Sequence, residues 1–524
     1  MKERKLYSVI FIVVFLSVLL CPLLLGGTPT PEEPIPLTVE SEYRYYYHPT
    51  HGYTIRVDGG LTLNATLSEL VTVFENDALA IEVYHQPNEN LSFATYTLHG
   101  NRFLENEADH HLQFEGKRKI GERDVYVTQW YRDGLQRVEH DKNHYITYDI
   151  EEKDAYYTIF VKSAFPIPDT TRYDELVKSF KLCDAAPVDA ETIAVKHWRS
   201  EAVDVKARGW DWETRRFYAR CFGEDARLQW GIFERGTSLG KNAAIYDLEE
   251  RLDYSFDYIL CYSHYYKDPS TNPYVPIGKV LADARKDGKV VELTLLMNAQ
   301  KEPGNDVYDI LKGEYDEHLH AYAKSIADFG HPVLFRLNNE MNTDWCRYSA
   351  YFTSKDTDIY KEVYRYIYGI FEEEGANRNT LWVWNPNGRT FPAFTWNHML
   401  MYYPGDEYVD IVGMTGYNTG TYYEAYGEHW ESFSSLYGRL YREYGTRFAQ
   451  PFMLTEFACG VVGGDKVAWV KEMFDLIGRL DRIKVAIWWD HVDYDSDGMV
   501  ARDYRIDEPY AVLEVFRSRL AEYQ

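Results

Sequence analysis

Two short apolar runs in this chain each end on one glutamate: RLNNEMNTDW at 336–345 reaches Glu340, and PFMLTEF at 451–457 reaches Glu456. Carboxylates at the ends of buried strands have two uses, as structural ion-pair partners or as chemical groups. A pair facing one cleft is the minimum equipment for cleaving a glycosidic bond. One group donates a proton to the leaving oxygen while the other attacks the anomeric carbon or activates water. The elements that carry the two glutamates decide between these uses.

From about residue 195 onward the pattern is strand, then helix, repeated. Apolar runs stand at 228–233 (LQWGIF), 257–265, 290–297, 332–340, 380–387, 409–418, 451–457 and 485–492, and amphipathic stretches such as DIYKEVYRYIYGIFEEE lie between most of them. Eight near-continuous apolar strands with crossover-length connections imply a (β/α)8 TIM barrel. An open doubly wound sheet fits less well, because no glycine-rich phosphate loop follows the first strand. Chemistry in a barrel sits at the carboxyl ends of the strands. Glu340 would end strand four and Glu456 strand seven, so both would point into one mouth.

The rest of the chain has a different texture. Residues 41–182 are rich in short β-type runs such as GYTIRVDG, RDVYVTQWYR and AYYTIFVKSAF, broken by Gly, Asn and Asp turns and by amphipathic stretches such as DELVKSFKL. They predict a smaller α+β domain with an antiparallel sheet, joined by a linker at 183–194 to the barrel at 195–524. His48 and His51 read there as turn and surface residues. Before it, Lys2, Arg4 and Lys5 precede an apolar run from Leu6 to Leu25, and a Pro-rich segment follows at 28–40. Residues 1–27 read as a membrane anchor or a signal peptide, with the folded part on the extracytoplasmic side.

Composition restricts the partners. A formal charge of −26 and 16% aromatic residues argue against nucleic acid, whose backbone would be repelled, and suit surfaces that stack on flat neutral ligands. Beyond Cys21 the cysteines are Cys183, Cys221, Cys261, Cys346 and Cys459, scattered without a CxxC pair, so buried free thiols are the expectation and one disulfide stays open.

The stretches RLNNEMNTDW, LWVWNPN, YYPGDEYVDIVGMTGYN, PFMLTEFACG and IKVAIWWD, in this order, resemble glycoside hydrolase family 26 over roughly 225–510. That family belongs to a large retaining clan with its acid/base and nucleophile on strands four and seven. The resemblance implies Glu340 as acid/base, Glu456 as nucleophile and Tyr417 as a hydrogen-bond donor to the nucleophile. It also implies Trp345 as a sugar platform, with Trp488 closing the strand-eight side. His264, at the end of strand two, is a further candidate for the substrate site. Asn385 and Asn387 read as loop-fixing residues. One departure stands out: family 26 usually has histidine before the acid/base, whereas this chain has Asn339. An asparagine there commonly bonds the 2-hydroxyl of the sugar being cleaved, so the swap bears on whether mannan, glucan or xylan is the substrate.

A retaining pair should hold its carboxyls ~5–5.5 Å apart and form a covalent glycosyl-enzyme at Glu456. Ionised Glu456 should raise the pKa of Glu340 and keep it protonated as an acid. No metal or organic cofactor is needed. The expected partner is a β-linked polysaccharide or oligosaccharide, with the membrane as a second partner if the amino-terminal segment is uncleaved. The competing reading is a membrane-tethered glycan-binding or scaffold protein with an inactive barrel. Loss of either glutamate is the cheapest route to such a protein, and both are present.

Overall fold

The apolar runs close on themselves. The computed structural model describes residues 43–265, 276–296 and 305–524. In it, eight parallel strands form a closed barrel in chain order: β1 (Gln229–Phe233), β2 (Tyr258–His264), β3 (Val290–Leu296), β4 (Val333–Leu337), β5 (Thr380–Trp384), β6 (Ile411–Asn418), β7 (Phe452–Cys459) and β8 (Ile483–Trp489). Each expected strand is present. The run was legible because parallel strands covered on both faces are apolar at nearly every position.

Alternation sorts the side chains into two layers. One set fills the barrel interior, including Phe233, Leu260, Leu334, Val383, Met453 and Ile487. The other set, including Trp230, Ile232, Phe335, Trp382 and Trp488, packs against the surrounding helices. Closure brings β1 against β8, and at Gly231 an added Cβ would sit 2.8 Å from Tyr258 Cβ and 2.9 Å from Ile487 Cγ1. Only glycine fits that approach.

Ahead of the barrel stand two sheets. Seven antiparallel strands run in the spatial order Thr62–Asn64, Val71–Glu75, Leu79–Pro87, Ala155–Ser163, His144–Glu151, Arg123–Tyr131 and His111–Ile120. Four strands make the second sheet, Lys181–Leu182, Tyr53–Asp58, Tyr43–His48 and Ala190–Thr192; the last lies within the stretch read from sequence as linker. One face of the larger sheet, with Tyr84, Trp130, Tyr145 and Phe160, joins the apolar core of the barrel's helix layer. Its other face, with Ile81, Val127, Ile146 and Ile159, packs with the smaller sheet. The central strand Ala155–Ser163 is therefore buried along its whole length. Sheets and barrel form one compact unit from Tyr43 to Gln524.

His48, expected at the surface, is fully buried and bonds Ser68 O through Nε2 at 2.8 Å. All five cysteines of the described residues are free thiols, Cys221, Cys261 and Cys459 being buried. The proposed anchor or signal segment lies outside the described residues; among the described ones no helix is long and apolar enough to cross a membrane.

Candidate active site

The end of β4 is where the chain departs from regular geometry. Asn338 and Glu340 both adopt left-handed backbone (φ 46° and 58°), a conformation asparagine tolerates and glutamate does not favour. Neighbouring strands hold the turn: Asn338 N donates to Leu295 O at 2.9 Å and Glu340 N to Asn385 O at 2.8 Å. The twist separates two consecutive side chains. Asn339 turns toward β7, and Glu340 turns toward the segments that follow β4 and β5.

Glu456 and Glu340 both line one cleft of about 900 Å3 at the carboxyl ends of the strands. Four donors converge on Glu456, which is buried. Arg336 Nη1 (2.8 Å) and Asn339 Nδ2 (3.0 Å) donate to Oε1, and the hydroxyls of Tyr262 (2.6 Å) and Tyr417 (3.0 Å) donate to Oε2. Glu340 is half-buried and has two donors, Asn387 Nδ2 at 2.6 Å and Trp345 Nε1 at 3.3 Å. Burial, reinforced by the neighbouring Glu456 charge, pushes Glu340 up to about 7 against those two hydrogen bonds.

Beneath Glu456 lies a charged layer with no solvent contact. Arg336 and Glu292 are both fully buried, with Arg336 Nε 2.8 Å from Glu292 Oε1, and burial pushes Glu292 up to about 8 despite that cation. One guanidinium thus bridges two carboxyl groups. Asn385 Oδ1 accepts from Arg336 Nη1 at 2.9 Å and from the Thr455 hydroxyl at 2.9 Å, which fixes the face Arg336 turns to Glu456.

The expected site residues divide. Glu340, Glu456, Asn339, Trp345 and Tyr417 come together. Trp345 is 52% exposed with its ring 5.4 Å from that of Phe391, so one face is open to the cleft. Trp488 does not belong. Pairing of β8 with β1 sets Trp488 beside Ile232 and Trp489 beside Phe233, so Trp488 faces the helix layer. It is fully buried there and donates to Tyr504 O at 2.9 Å, while Trp489 lines the cleft. His264 is also displaced: its ring is bonded to the backbone at Leu296, and it lines a separate cavity of about 160 Å3 with His318 and Tyr322. Asn387 combines the loop-fixing role expected of it, accepting from Arg389 N, with direct contact to Glu340.

Sequence reading missed Arg336, Tyr262 and Trp489. For Arg336 a signal existed, since a lone cation inside an apolar strand requires a buried anionic partner. Tyr262 offered none, as its partner lies on β7.

The family model of Glycosyl hydrolase family 26 matches residues 296–438, a range that includes Glu340 and stops short of Glu456. Endoglucanase H of Acetivibrio thermocellus is 29% identical over 214 residues, 40% of this chain and 23% of that protein. A mannan endo-1,4-beta-mannosidase of Bacillus subtilis is 37% identical over 98 residues, 18% of this chain and 25% of the relative. The chain thus spans about a quarter of the length of these curated relatives. Among solved structures, the catalytic domain of an endo-beta-1,4-mannanase from Bacillus sp. JAMB-750 aligns at 17% identity over 62% of this chain and 93% of that one, with a TM-score of 0.44.

Proposed function

We propose, for a chain that carries a domain like those of glycosyl hydrolase family 26, that it is a retaining glycoside hydrolase acting on a β-linked polysaccharide of the mannan or glucan type. The observation that carries this reading is the asymmetry of the two carboxyls. Glu456 is met by four donors, an arrangement suited to an anionic nucleophile, whereas Glu340 is raised to about 7 and keeps a proton to give. Glu456 would attack the anomeric carbon as Glu340 protonates the leaving oxygen; Glu340, then unprotonated, would activate water against the glycosyl-enzyme. Esterification of Glu456 removes the neighbouring charge that helps hold the Glu340 proton, which favours the switch from acid to base.

Asn339 Oδ1 is buried and has no protein partner among the described residues, while its amide donates to Glu456. It is suited to accept from a sugar hydroxyl next to the reacting carbon. Trp345 and Trp489 would supply stacking faces on either side of the cleft. The apolar run at 6–25 would serve export or anchoring, which puts the substrate outside the cytoplasm.

Two expected results follow. Glu340 must be protonated to act, so kcat/KM on polysaccharide should hold below about pH 7 and fall tenfold per pH unit above it. In Glu340→Gln the rate should drop by about 10²- to 10⁴-fold and this alkaline limb should vanish. A pH profile on β-mannan, mixed-linkage β-glucan and xylan tests it; a limb that persists in the variant assigns the proton to another group. For the tryptophans, Trp489→Ala should raise KM roughly tenfold through lost stacking. Trp488→Phe should instead cost about 1–2 kcal/mol of stability with KM unchanged, as read by calorimetry beside oligosaccharide kinetics.

A further inference from the structure

The two donors that hold Glu340 stand on two segments, 341–356 after β4 and 385–398 after β5, and both segments rest on the seven-stranded sheet. On the first, Ser354 and Lys355 are consecutive left-handed residues (φ 61° and 56°), a bend that requires outside support. The sheet provides it. Asp356 accepts from the Tyr145 hydroxyl at 3.0 Å and from Lys162 Nζ at 2.7 Å, and Ser354 reaches His110 of the sheet domain through the Tyr308 hydroxyl. Lys162 is buried among Glu82, Asp356 and Asp358, so the junction is charged and water-poor.

On the second segment, Thr395 N donates to Gln86 Oε1 at 2.8 Å and the Thr395 hydroxyl to His85 O at 2.9 Å. Phe394 sets its ring edge-on to Tyr96 at 5.1 Å. Asn342 ties the two segments together: its side chain exchanges hydrogen bonds with the Asn387 backbone (2.8 and 3.1 Å), and Phe391 N donates to Asn342 O at 3.0 Å. The two segments that carry Trp345 and Asn387 to the Glu340 carboxyl are therefore anchored on the sheet at Tyr145 and Gln86. Glu456 is held differently, by Arg336, Asn339, Tyr262 and Tyr417 of the barrel's own strands and strand ends.

We infer that the amino-terminal sheet is a positioning element for the acid/base half of the active site, with Gln86 and Tyr145 as positioning residues that act on Glu340 through the two segments. The inference rests on the retaining reading above and assigns a role to a domain whose sequence suggests none. It distinguishes the sheet from a tethered sugar-binding module, which would bear on substrate capture and leave chemistry alone. Misplacement of a catalytic group by about 1 Å costs on the order of 10²-fold in rate, so loosening the segments should be felt at Glu340 first.

The test uses the full chain with Gln86→Leu, Tyr145→Phe and the double variant, which remove polar contacts while keeping side-chain bulk. Three readouts are compared: kcat and KM on polysaccharide, turnover of 2,4-dinitrophenyl β-mannobioside and β-cellobioside, and covalent labelling of Glu456 by a 2-deoxy-2-fluoro glycoside. A dinitrophenolate leaves without a proton, so its departure does not need Glu340. The double variant should lose about ten- to a hundredfold in kcat on polysaccharide, with KM within about twofold. Glycosylation by the dinitrophenyl substrate and labelling of Glu456 should keep wild-type rates, and azide, which needs no general base, should restore turnover. A dinitrophenolate burst slowed as much as polysaccharide kcat, turnover that azide does not restore, or loss in KM alone overturns the inference, as does wild-type behaviour throughout. Failure of the wild-type protein to label at Glu456 is a separate result; it overturns the retaining reading and the inference with it.

Discussion

On the proposed retaining mechanism, Glu456→Gln should abolish hydrolysis of every glycoside, activated or natural, by on the order of 10⁴-fold or more, since without that carboxylate no covalent intermediate forms. The contrast with Glu340→Gln is the informative part. That variant keeps the nucleophile, so it should still release dinitrophenolate in a burst and then stall as the glycosyl-enzyme, whereas Glu456→Gln should show no burst at all. Added azide should turn over the stalled Glu340 variant with retained configuration and leave the Glu456 variant silent. Stopped-flow traces with and without azide give both answers. Equal bursts from the two variants would remove Glu456 from the nucleophile's role, whatever the family likeness suggests.

Arg336→Met should be the most damaging substitution outside the carboxyl pair. Arg336 is fully buried between Glu292 and Glu456 at 2.8 Å from each. Its removal leaves two carboxyls without a cation, an error that typically costs about 3–5 kcal/mol when one partner of a buried ion pair is lost. Denaturant unfolding should show the midpoint fall. The double variant Arg336→Met with Glu292→Leu should regain much of that stability, because an apolar replacement of a buried pair is often neutral. Activity should not return with it, since Glu456 still lacks the guanidinium donor. Recovery of both together would mean that Arg336 only holds the barrel interior, with no part in orienting the nucleophile.

Much of this arrangement can be read from the residues in order. Parallel strands buried on both faces must be apolar almost throughout, so all eight barrel strands stand out as runs, and a polar residue at the end of such a run marks the barrel mouth. Glu340 and Glu456 were legible for that reason, whereas Asn339 and Tyr417 were singled out only through the resemblance to family 26. The choice between Trp488 and Trp489 was not: the two are adjacent, equally aromatic and differ only in the face they present. That face is set by the register of β8 on β1, more than 250 residues away in sequence, where Phe233 pairs with Trp489.

The sequence by itself determined the barrel and the two carboxylates that end its fourth and seventh strands, because burial and alternation are local constraints written into each strand. Only the tertiary structure decided which groups touch those carboxylates. Arg336 on β4 meets Glu292 of β3 and Glu456 of β7, Tyr262 reaches Glu456 from β2, and Asn387 and Trp345 reach Glu340 from segments that Gln86 and Tyr145 bond from a sheet preceding the barrel. Such contacts depend on barrel closure and on one sheet face packing against the helix layer, and long-range packing leaves no periodic trace in any single segment.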